Sequence, residues 1–305
     1  MRALVTGATG FVGGRLAEHL RGAGFDVRCL VRDRGRAGER LGPGCELHEG
    51  DVLDGRSLRG AGEDVDVAYY LVHSMGRSQP GGADFAERER RAALNFAQMS
   101  RDEGVDRVIY LGGLGTDPGS RHLRSRHRVA EILAGNGPPL TYFRAAMVVG
   151  SKSDSFRTLR YLVDRLPVMI APAWLRTPTQ PIGIDDVIEY LAAAPVIEES
   201  AGREVQIGGP DVLSYRDMLA AMADALGKRR PPMLPVPLLS PALSSLWIGL
   251  VTPVDPGVAR PLVEGLSTET VVEDPSGAAL FDVSPEPFRQ TLERALGEER
   301  EAGSR

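Results

Sequence analysis

Cysteines and long hydrophobic runs are scarce in this sequence. Only two of 305 residues are cysteine, Cys29 and Cys45, which excludes a disulfide-stapled fold and favours two reduced structural thiols in a cytosolic protein. The most apolar late stretch, residues 243–251, lies between Pro241 and Pro253 and is far shorter than the roughly 20 residues of a membrane span. It predicts a buried helix or pocket wall, with peripheral membrane contact as the alternative.

No block of basic residues stands out either. The chain has 36 Lys and Arg against 41 Asp and Glu, a net charge of −5. Because the basic residues are scattered, we expect no nucleic-acid partner. The chain passes from Met1-Arg2 directly into an apolar strand and a glycine-rich turn, which leaves no room for a signal or transit segment. We therefore expect a cytoplasmic protein.

Short apolar, β-branched runs alternate with longer helical patterns in the first half, which is typical of strand-helix-strand units and a parallel sheet. The predicted strands are Arg2 to Thr6, Asp26 to Val31, Glu46 to Glu49, Val67 to Val72, Arg107 to Leu111 and Leu140 to Arg144. The predicted helices lie near residues 13–22, 57–61, 84–103 and 124–134, with none between the second and third strands. The pattern predicts an α/β fold, with a Rossmann-type doubly wound parallel sheet in a nucleotide-binding domain over residues 1–150.

The second half, residues 151–305, changes character because proline clusters break the alternation. Residues 180–184 and 204–207 still resemble late strands of the sheet, and residues 214–217 resemble a capping box that opens a helix. The rest predicts a small, partly helical, Pro-rich substrate lobe. Six side chains are candidates for the wall of an apolar pocket, with ordinary packing as the alternative: Phe156, Leu159, Leu162, Trp174, Leu238 and Trp247.

A glycine-rich loop joins the first predicted strand to the first predicted helix. Gly7 permits the tight turn, Gly10 lets the backbone approach a pyrophosphate, and Gly13 lets the helix and strand pack closely. The free N–H groups and the positive end of the helix then face the anion. The predicted phosphate-binding residues are Gly7, Thr9, Gly10, Phe11, Val12 and Gly13.

The run TGATGFVGG at residues 6–14 resembles the opening of the short-chain dehydrogenase/reductase superfamily, in its extended or atypical branch. GDVLD at residues 50–54 resembles the family's third-strand exit, and residues 93–97 and 104–111 resemble its fourth helix and fifth strand. More narrowly, AYYLVHSMG at residues 68–76 is similar to bacterial NAD(P)H-binding proteins, to NmrA-like regulators and to the large accessory subunit of respiratory complex I.

The resemblance implies a nicotinamide dinucleotide cofactor. At the end of the second strand, where NAD-preferring relatives carry an acidic residue, this chain has Val31 followed by Arg32. A guanidinium can bond a 2′-phosphate, so NADP(H) is favoured over NAD(H), although Asp33 next to it argues the other way. The further cofactor-binding residues implied are Asp51 and Val52 at the adenine, Leu71, Val72, His73, Gly112, Gly113 and Arg126 along the sheet edge, and Ala146 and Met147 at the nicotinamide.

The family's catalytic Tyr-x-x-x-Lys falls on residues 122–126, where His122 replaces the Tyr and Arg126 replaces the Lys. The fifth strand's exit offers no hydroxyl before Thr116, although relatives place a Ser or Thr there. His122 and His73 are candidate proton donors, with plain loop or surface histidines as the alternative. Arg126 is the candidate cation for a ribose hydroxyl. The histidine spacing does not suggest a metal site.

Three functions remain open. The first is an NADP-dependent oxidoreductase with a non-standard proton donor, acting on a hydrophobic or quinone-like carbonyl compound. The second is a non-catalytic module that senses the NADP(H) redox state or stabilises a protein partner, which the loss of the Tyr and Lys favours. The third is a nucleotide-sugar epimerase or dehydratase, which is disfavoured because those enzymes keep both residues.

Overall fold

A seven-stranded parallel sheet forms the centre of the computed structural model, which describes residues 1–72, 82–115, 121–166, 168–171, 173–235 and 268–303. With elements numbered in chain order, its strands are β1 (Arg2–Thr6), β2 (Asp26–Val31), β3 (Glu46–Glu49), β4 (Val67–Tyr70), β5 (Arg107–Gly113), β6 (Leu140–Ala145) and β11 (Glu204–Ile207). Their order across the sheet is β11-β6-β5-β4-β1-β2-β3. The predicted Rossmann-type α/β fold is confirmed.

Helices cover both faces of this sheet. They are α1 (Phe11–Gly22), α2 (Arg34–Leu41), α3 (Gly82–Asp102), α4 (Arg121–Asn136) and α6 (Ile184–Ala193). Ala3 and Val5 of β1 pack in the core on the side of α1 and α6, whereas Leu4 between them packs on the side of α3 and α4. The strands are continuous apolar runs for this reason, since parallel strands buried on both faces have no solvent side. Among the described residues, no helix is long and apolar enough to cross a membrane.

A smaller lobe has its own apolar core. It contains the helices α5 (Asp154–Arg165), α7 (Tyr215–Ala225) and α8 (Phe288–Gly303), and the short strands β7 (Val148–Val149), β8 (Met169–Ala171), β9 (Pro178–Thr179), β10 (Ile182–Gly183), β12 (Leu213–Ser214) and β13 (Met233–Pro235). Phe156, Leu159 and Leu162 are buried in this core, so the structure assigns them to packing. Trp174 is half-buried beside Tyr215. Two further candidates for a pocket wall, Leu238 and Trp247, lie outside the described residues.

Two local elements differ from the sequence expectation. Residues 34–41 form helix α2, which opens where Asp33 accepts the backbone N–H of Arg36 at 3.0 Å. Residues 57–61 form turns instead of the expected helix. The Arg28 guanidinium binds the carbonyl oxygens of Gly60 and Ala61 at 3.0 Å each, which takes up acceptors that a continuing helix would use.

The two late strands that the sequence predicts belong to different sheets. Residues 204–207 form the edge strand β11, paired with β6. Within residues 180–184, however, Ile182–Gly183 pairs with Val148–Val149 in a separate two-stranded sheet, because its partner has already left the large sheet after β6. The capping box is confirmed: Ser214 and Asp217 each accept the other's backbone N–H at the start of α7.

Arg15 joins helix α1 to the smaller lobe. Its guanidinium donates to Asp185 of α6 at 2.9 Å and to Glu298 of α8. Ser151, on the chain leaving β7, also donates to Glu298, at 2.6 Å. Burial alone would raise the pKa of Glu298, but the hydrogen bonds from Arg15 and Ser151 hold this pKa below its usual value.

We expect Arg15→Met to lower the free energy of unfolding by about 1 to 3 kcal/mol, because a partly buried carboxylate loses its charged donor. Since the pKa of Glu298 is lowered in the folded state, this loss is full at pH 7 and shrinks as the pH falls through the folded-state pKa below 4.5. Urea unfolding at several pH values measures both effects. The control is Arg294→Met, an exposed partner of the same Asp185, for which we expect about 0.5 kcal/mol or less. Equal losses for both variants would contradict the assignment.

Candidate functional site

The end of β1 is tied to the end of β4 by one side chain. The Thr6 hydroxyl donates to the Tyr69 carbonyl at 2.9 Å and accepts the backbone N–H of Leu71 at the same distance. Both groups are buried, so these bonds are shielded from water. Thr6 therefore sets the glycine loop directly beside Leu71, one of the residues assigned to the cofactor.

Two glycines of the loop occupy places that admit no side chain. Gly7 has a φ of +66°, and a Cβ there would lie 2.5 Å from the Leu71 carbonyl oxygen. A Cβ on Gly13 would lie 2.3 Å from the Gly7 carbonyl oxygen. The turn is closed by the Gly10 N–H, which donates to the same oxygen at 2.8 Å. The helix thus begins in contact with the loop that precedes it, as expected for a dinucleotide-binding turn.

The first turn of α1 is left without a cap. Its N-cap residue is Gly10, which offers no side chain, and the first turn contains no acidic residue. The N–H groups at the start of an α-helix have no partner within the helix, and the helix dipole places positive charge there. The Phe11 ring is fixed by close packing on Gly150, where a Cβ would lie 2.6 Å from the ring. An anion fits this arrangement. Of the predicted contacts, Thr9 lies in the loop, and Phe11 and Val12 lie in the first turn of α1.

The exit of β2 presents a free cation beside an engaged carboxylate. Val31 is buried and Arg32 is exposed. Within the described part of the chain, the Arg32 side chain makes no hydrogen bond or ion pair. Asp33, in contrast, caps α2 and lies 3.5 Å from the Nε of Arg36. The Asp33 carboxylate, which argued against a 2′-phosphate, is therefore already engaged at the start of α2.

The exit of β3 is held in place by hydrogen bonds. The Asp51 carboxylate accepts the Leu53 N–H at 2.9 Å, and the Asp51 N–H donates to the Ser57 hydroxyl at 2.9 Å. Asn95 of α3 donates to the Val52 carbonyl at 2.8 Å. The two residues assigned to the adenine thus lie on a fixed turn at the same edge of the sheet as the glycine loop.

The exit of β5 is shaped by a tyrosine and an arginine. A Cβ on Gly112 would lie 2.6 Å from the Tyr142 ring and 2.8 Å from its hydroxyl oxygen. Gly113 packs as tightly on Leu123. Arg126 is buried and donates to the Leu111 carbonyl at 3.4 Å. The structure therefore brings Arg126 to the strand exit where the resemblance placed it, next to two glycines in place of the family's hydroxyl residue.

The remaining predicted residues are placed as follows. Leu71 and Val72 directly follow β4, while His73 lies outside the described residues. His122 is in the first turn of α4, and its side chain is likewise not described. Ala146 and Met147 are half-buried after β6, where the Met147 carbonyl accepts the Ile182 N–H at 3.0 Å.

Sequence reasoning missed a polar network beneath the β5 exit. Arg144 is buried, pairs with Glu204 at 2.6 Å, and donates to the carbonyls of Gly113 at 3.3 Å and Gly115 at 2.8 Å. His127 lies 3.0 Å from the Gly115 oxygen through Nε2 and 3.3 Å from the Tyr142 hydroxyl through Nδ1. The available signal was an arginine inside an otherwise apolar strand, since a buried charge needs partners.

Burial keeps the tyrosines of this network protonated. It raises the pKa of Tyr110 to about 12 and raises that of Tyr142 as well. The two rings stack with centroids 5.2 Å apart. A neutral Tyr142 can donate a hydrogen bond to His127 Nδ1, while His127 Nε2 lies within reach of both the Gly115 oxygen and the Arg144 guanidinium.

Comparisons with known proteins agree with this architecture. Residues 3–146 match the NAD dependent epimerase/dehydratase family. The chain is 26% identical over 311 residues to NADH dehydrogenase (ubiquinone) 1 alpha subcomplex subunit 9, mitochondrial, of Rattus norvegicus, covering 94% of this chain and 77% of that protein.

Two solved structures show the same fold. Triphenylmethane reductase of Citrobacter sp., complexed with NADP(H), has a TM-score of 0.76 at 17% identity and covers 97% of this chain and 100% of its own. The Bordetella bronchiseptica enzyme WbmG in complex with NAD has a TM-score of 0.72 at 16% identity, covering 99% and 95%. Residues 3–146 thus match the NAD dependent epimerase/dehydratase family, and the chain shares its fold with both solved structures.

Proposed function

We propose that this protein binds NADP(H) at the glycine loop and acts as an oxidoreductase on a hydrophobic or quinone-like carbonyl compound in the cytoplasm. The observation that carries the proposal is the uncapped start of α1, which offers free N–H groups and positive charge but no side chain. Triphenylmethane reductase and WbmG, which share the fold, are described with NADP(H) and NAD. Both descriptions support a nicotinamide dinucleotide as the ligand here.

The preference for NADP(H) rests on the exit of β2. Arg32 is exposed and unpaired within the described residues, and Asp33 is occupied as the cap of α2. A guanidinium can hold a phosphate through two N–H groups, whereas NAD(H) offers only a ribose hydroxyl there. This exit therefore favours the phosphorylated coenzyme.

When bound, a reduced nicotinamide supplies a hydride to the substrate. The chain's own groups would orient the coenzyme and deliver a proton. Arg126 fits a positioning role, since a guanidinium does not give up its proton in proteins. His122 and His73 remain the proposed proton donors, and we add Tyr142, whose neutral hydroxyl lies beside Gly112 and bonds His127.

A non-catalytic role is the second candidate function. It is favoured by the replacement of the family's Tyr and Lys with His122 and Arg126, and by the similarity to a subunit of NADH dehydrogenase. In that role the protein binds NADP(H) as a sensor or as a component of a protein assembly. The two functions share the coenzyme site and differ only in turnover.

Turnover separates the two functions. We expect bound NADPH to lose its reduced-nicotinamide absorbance when quinones or aromatic aldehydes are added to the protein. The control is the same mixture without protein, which measures how much NADPH the added compounds oxidise directly. Tight NADPH binding without any oxidation across both compound classes would reject the oxidoreductase and leave the non-catalytic role.

The relative affinities for NADPH and NADH test whether Arg32 binds the 2′-phosphate. We expect Arg32→Asp to weaken NADPH binding by about 1 to 3 kcal/mol through loss of a charge-assisted contact, and to change NADH binding much less. Isothermal titration calorimetry measures both affinities. Arg40→Asp, an exposed change near the end of α2, is the matched control for general charge effects. Equal weakening of NADPH and NADH would remove Arg32 from the phosphate site.

The close contact at the start of α1 gives the test of the site itself. We expect Gly13→Ala to reduce NADPH affinity at least about tenfold, because a Cβ 2.3 Å from the Gly7 oxygen must push the helix from the loop. Gly22→Ala in the same helix meets no atom within 4 Å and should leave binding unchanged. Calorimetry measures the NADPH affinity of both folded variants. An unaltered NADPH affinity in Gly13→Ala would mean that the coenzyme binds elsewhere.

A further inference from the structure

A second polar cleft lies between the β3–β4 connection and helix α3. Its volume is about 520 Å³, and its walls include Arg56 and Arg59 of the connection and Arg91 and Asn95 of α3. Asn95 also supports the Val52 turn from this side. None of the glycine-loop residues lines the cleft. The cleft is therefore a separate recess that shares one wall with the proposed adenine site.

The connection that carries Arg56 and Arg59 is fixed by side chains from other elements. The Glu103 carboxylate accepts the N–H groups of Gly60 at 2.7 Å and Gly62 at 2.6 Å. The Arg28 guanidinium holds three carbonyl oxygens of the same segment, at 2.9 to 3.0 Å. A segment without regular secondary structure thus has a set backbone, which lowers the cost of ordering when a ligand binds.

The carboxylates at this cleft are engaged locally. Both oxygens of Glu103 hold backbone N–H groups, and Asp54 accepts the N–H of Arg56 at 3.1 Å. Asp102 lies 3.6 Å from the Nε of Arg101. The lining thus carries three carboxylates beside its three arginines, and each of these carboxylates already has a donor beside it.

The cations of the cleft differ in this respect. Within the described ranges, the guanidinium groups of Arg56, Arg59 and Arg91 make no hydrogen bond or ion pair. Arg91 lies one turn from Glu87, but that carboxylate is held by Arg90 at 2.6 and 2.8 Å. Three unengaged guanidinium groups thus face one recess with a fixed backbone.

We infer that this cleft is a second anion-binding site, for a small molecule that carries two or more phosphate groups. One guanidinium group can bind two phosphate oxygens at once. Three such groups therefore fit a ligand with several phosphate groups better than a ligand with a single carboxylate. The recess has the size of a small-ligand site, which favours a small polyanion over a flat protein surface. The inference stands whether or not the glycine loop binds NADP(H).

Inorganic tripolyphosphate is the probe, titrated by calorimetry into the full chain at low ionic strength, with and without saturating NADPH. We expect one site that persists with NADPH present, and an affinity that falls at least about tenfold in Arg56→Gln/Arg59→Gln. Arg88→Gln, an exposed change on α3 outside the cleft, is the matched control and should bind as the unchanged chain does. Thermal unfolding confirms that each variant is folded, and Arg59→Gln alone provides a milder change.

Four results would overturn the inference. The first is no heat at millimolar tripolyphosphate, and the second is equal weakening in Arg88→Gln, which would mean general charge attraction. The third is loss of the site under NADPH, which would make the cleft part of the coenzyme site. Stronger binding of a short polyglutamate peptide than of tripolyphosphate would likewise reject the small ligand in favour of an acidic protein segment. If NADPH itself does not bind, the tripolyphosphate affinities of Arg56→Gln/Arg59→Gln and Arg88→Gln still test the inference.

Discussion

Helix α1 approaches strand β1 so closely that its third residue, Gly13, admits no side chain against the Gly7 carbonyl. This contact places the helix start over the end of the sheet, and the bond network of Thr6 fixes the end of β4 beside it. Because Gly10 supplies no cap, the N–H groups exposed by the contact keep no protein partner within the helix. The proposed anion site therefore depends on backbone packing at glycine positions, which carry no side chain.

The lobe depends on the same helix from its other side. Arg15, two residues after Gly13, binds carboxylates of α6 and α8, and Ser151 reaches the second of these from the end of β7. The guanidinium therefore links three elements that come from distant parts of the chain. Arg15 therefore ties the helix that follows the glycine loop to the smaller lobe.

What the sequence allowed to be predicted was local. The glycine loop and the sheet strands follow from spacing and apolar runs, and both are recognisable within about ten residues. Helix α2 was missed because RGRAGERL, residues 34–41, has a single buried residue, Ala37, and begins only through the Asp33 cap. The turn at residues 57–61 depends on Arg28, about 30 residues away, and the network of Arg144 joins β6 to β5 and β11. Such contacts depend on which strands lie side by side, which no local pattern records.

The described residues around the end of β5 also depend on one another. Strand β5 ends in two glycines, and the space beside Gly112 is filled by the Tyr142 ring. A serine side chain at that position would meet this ring, so the glycine and the tyrosine depend on each other. The Tyr142 hydroxyl in turn bonds His127. The residue before it, Arg126, stands where the resemblance places the family's lysine. Tyr142 of β6 and His127 of α4 therefore lie together against the end of β5, where the Tyr142 ring takes the space beside Gly112.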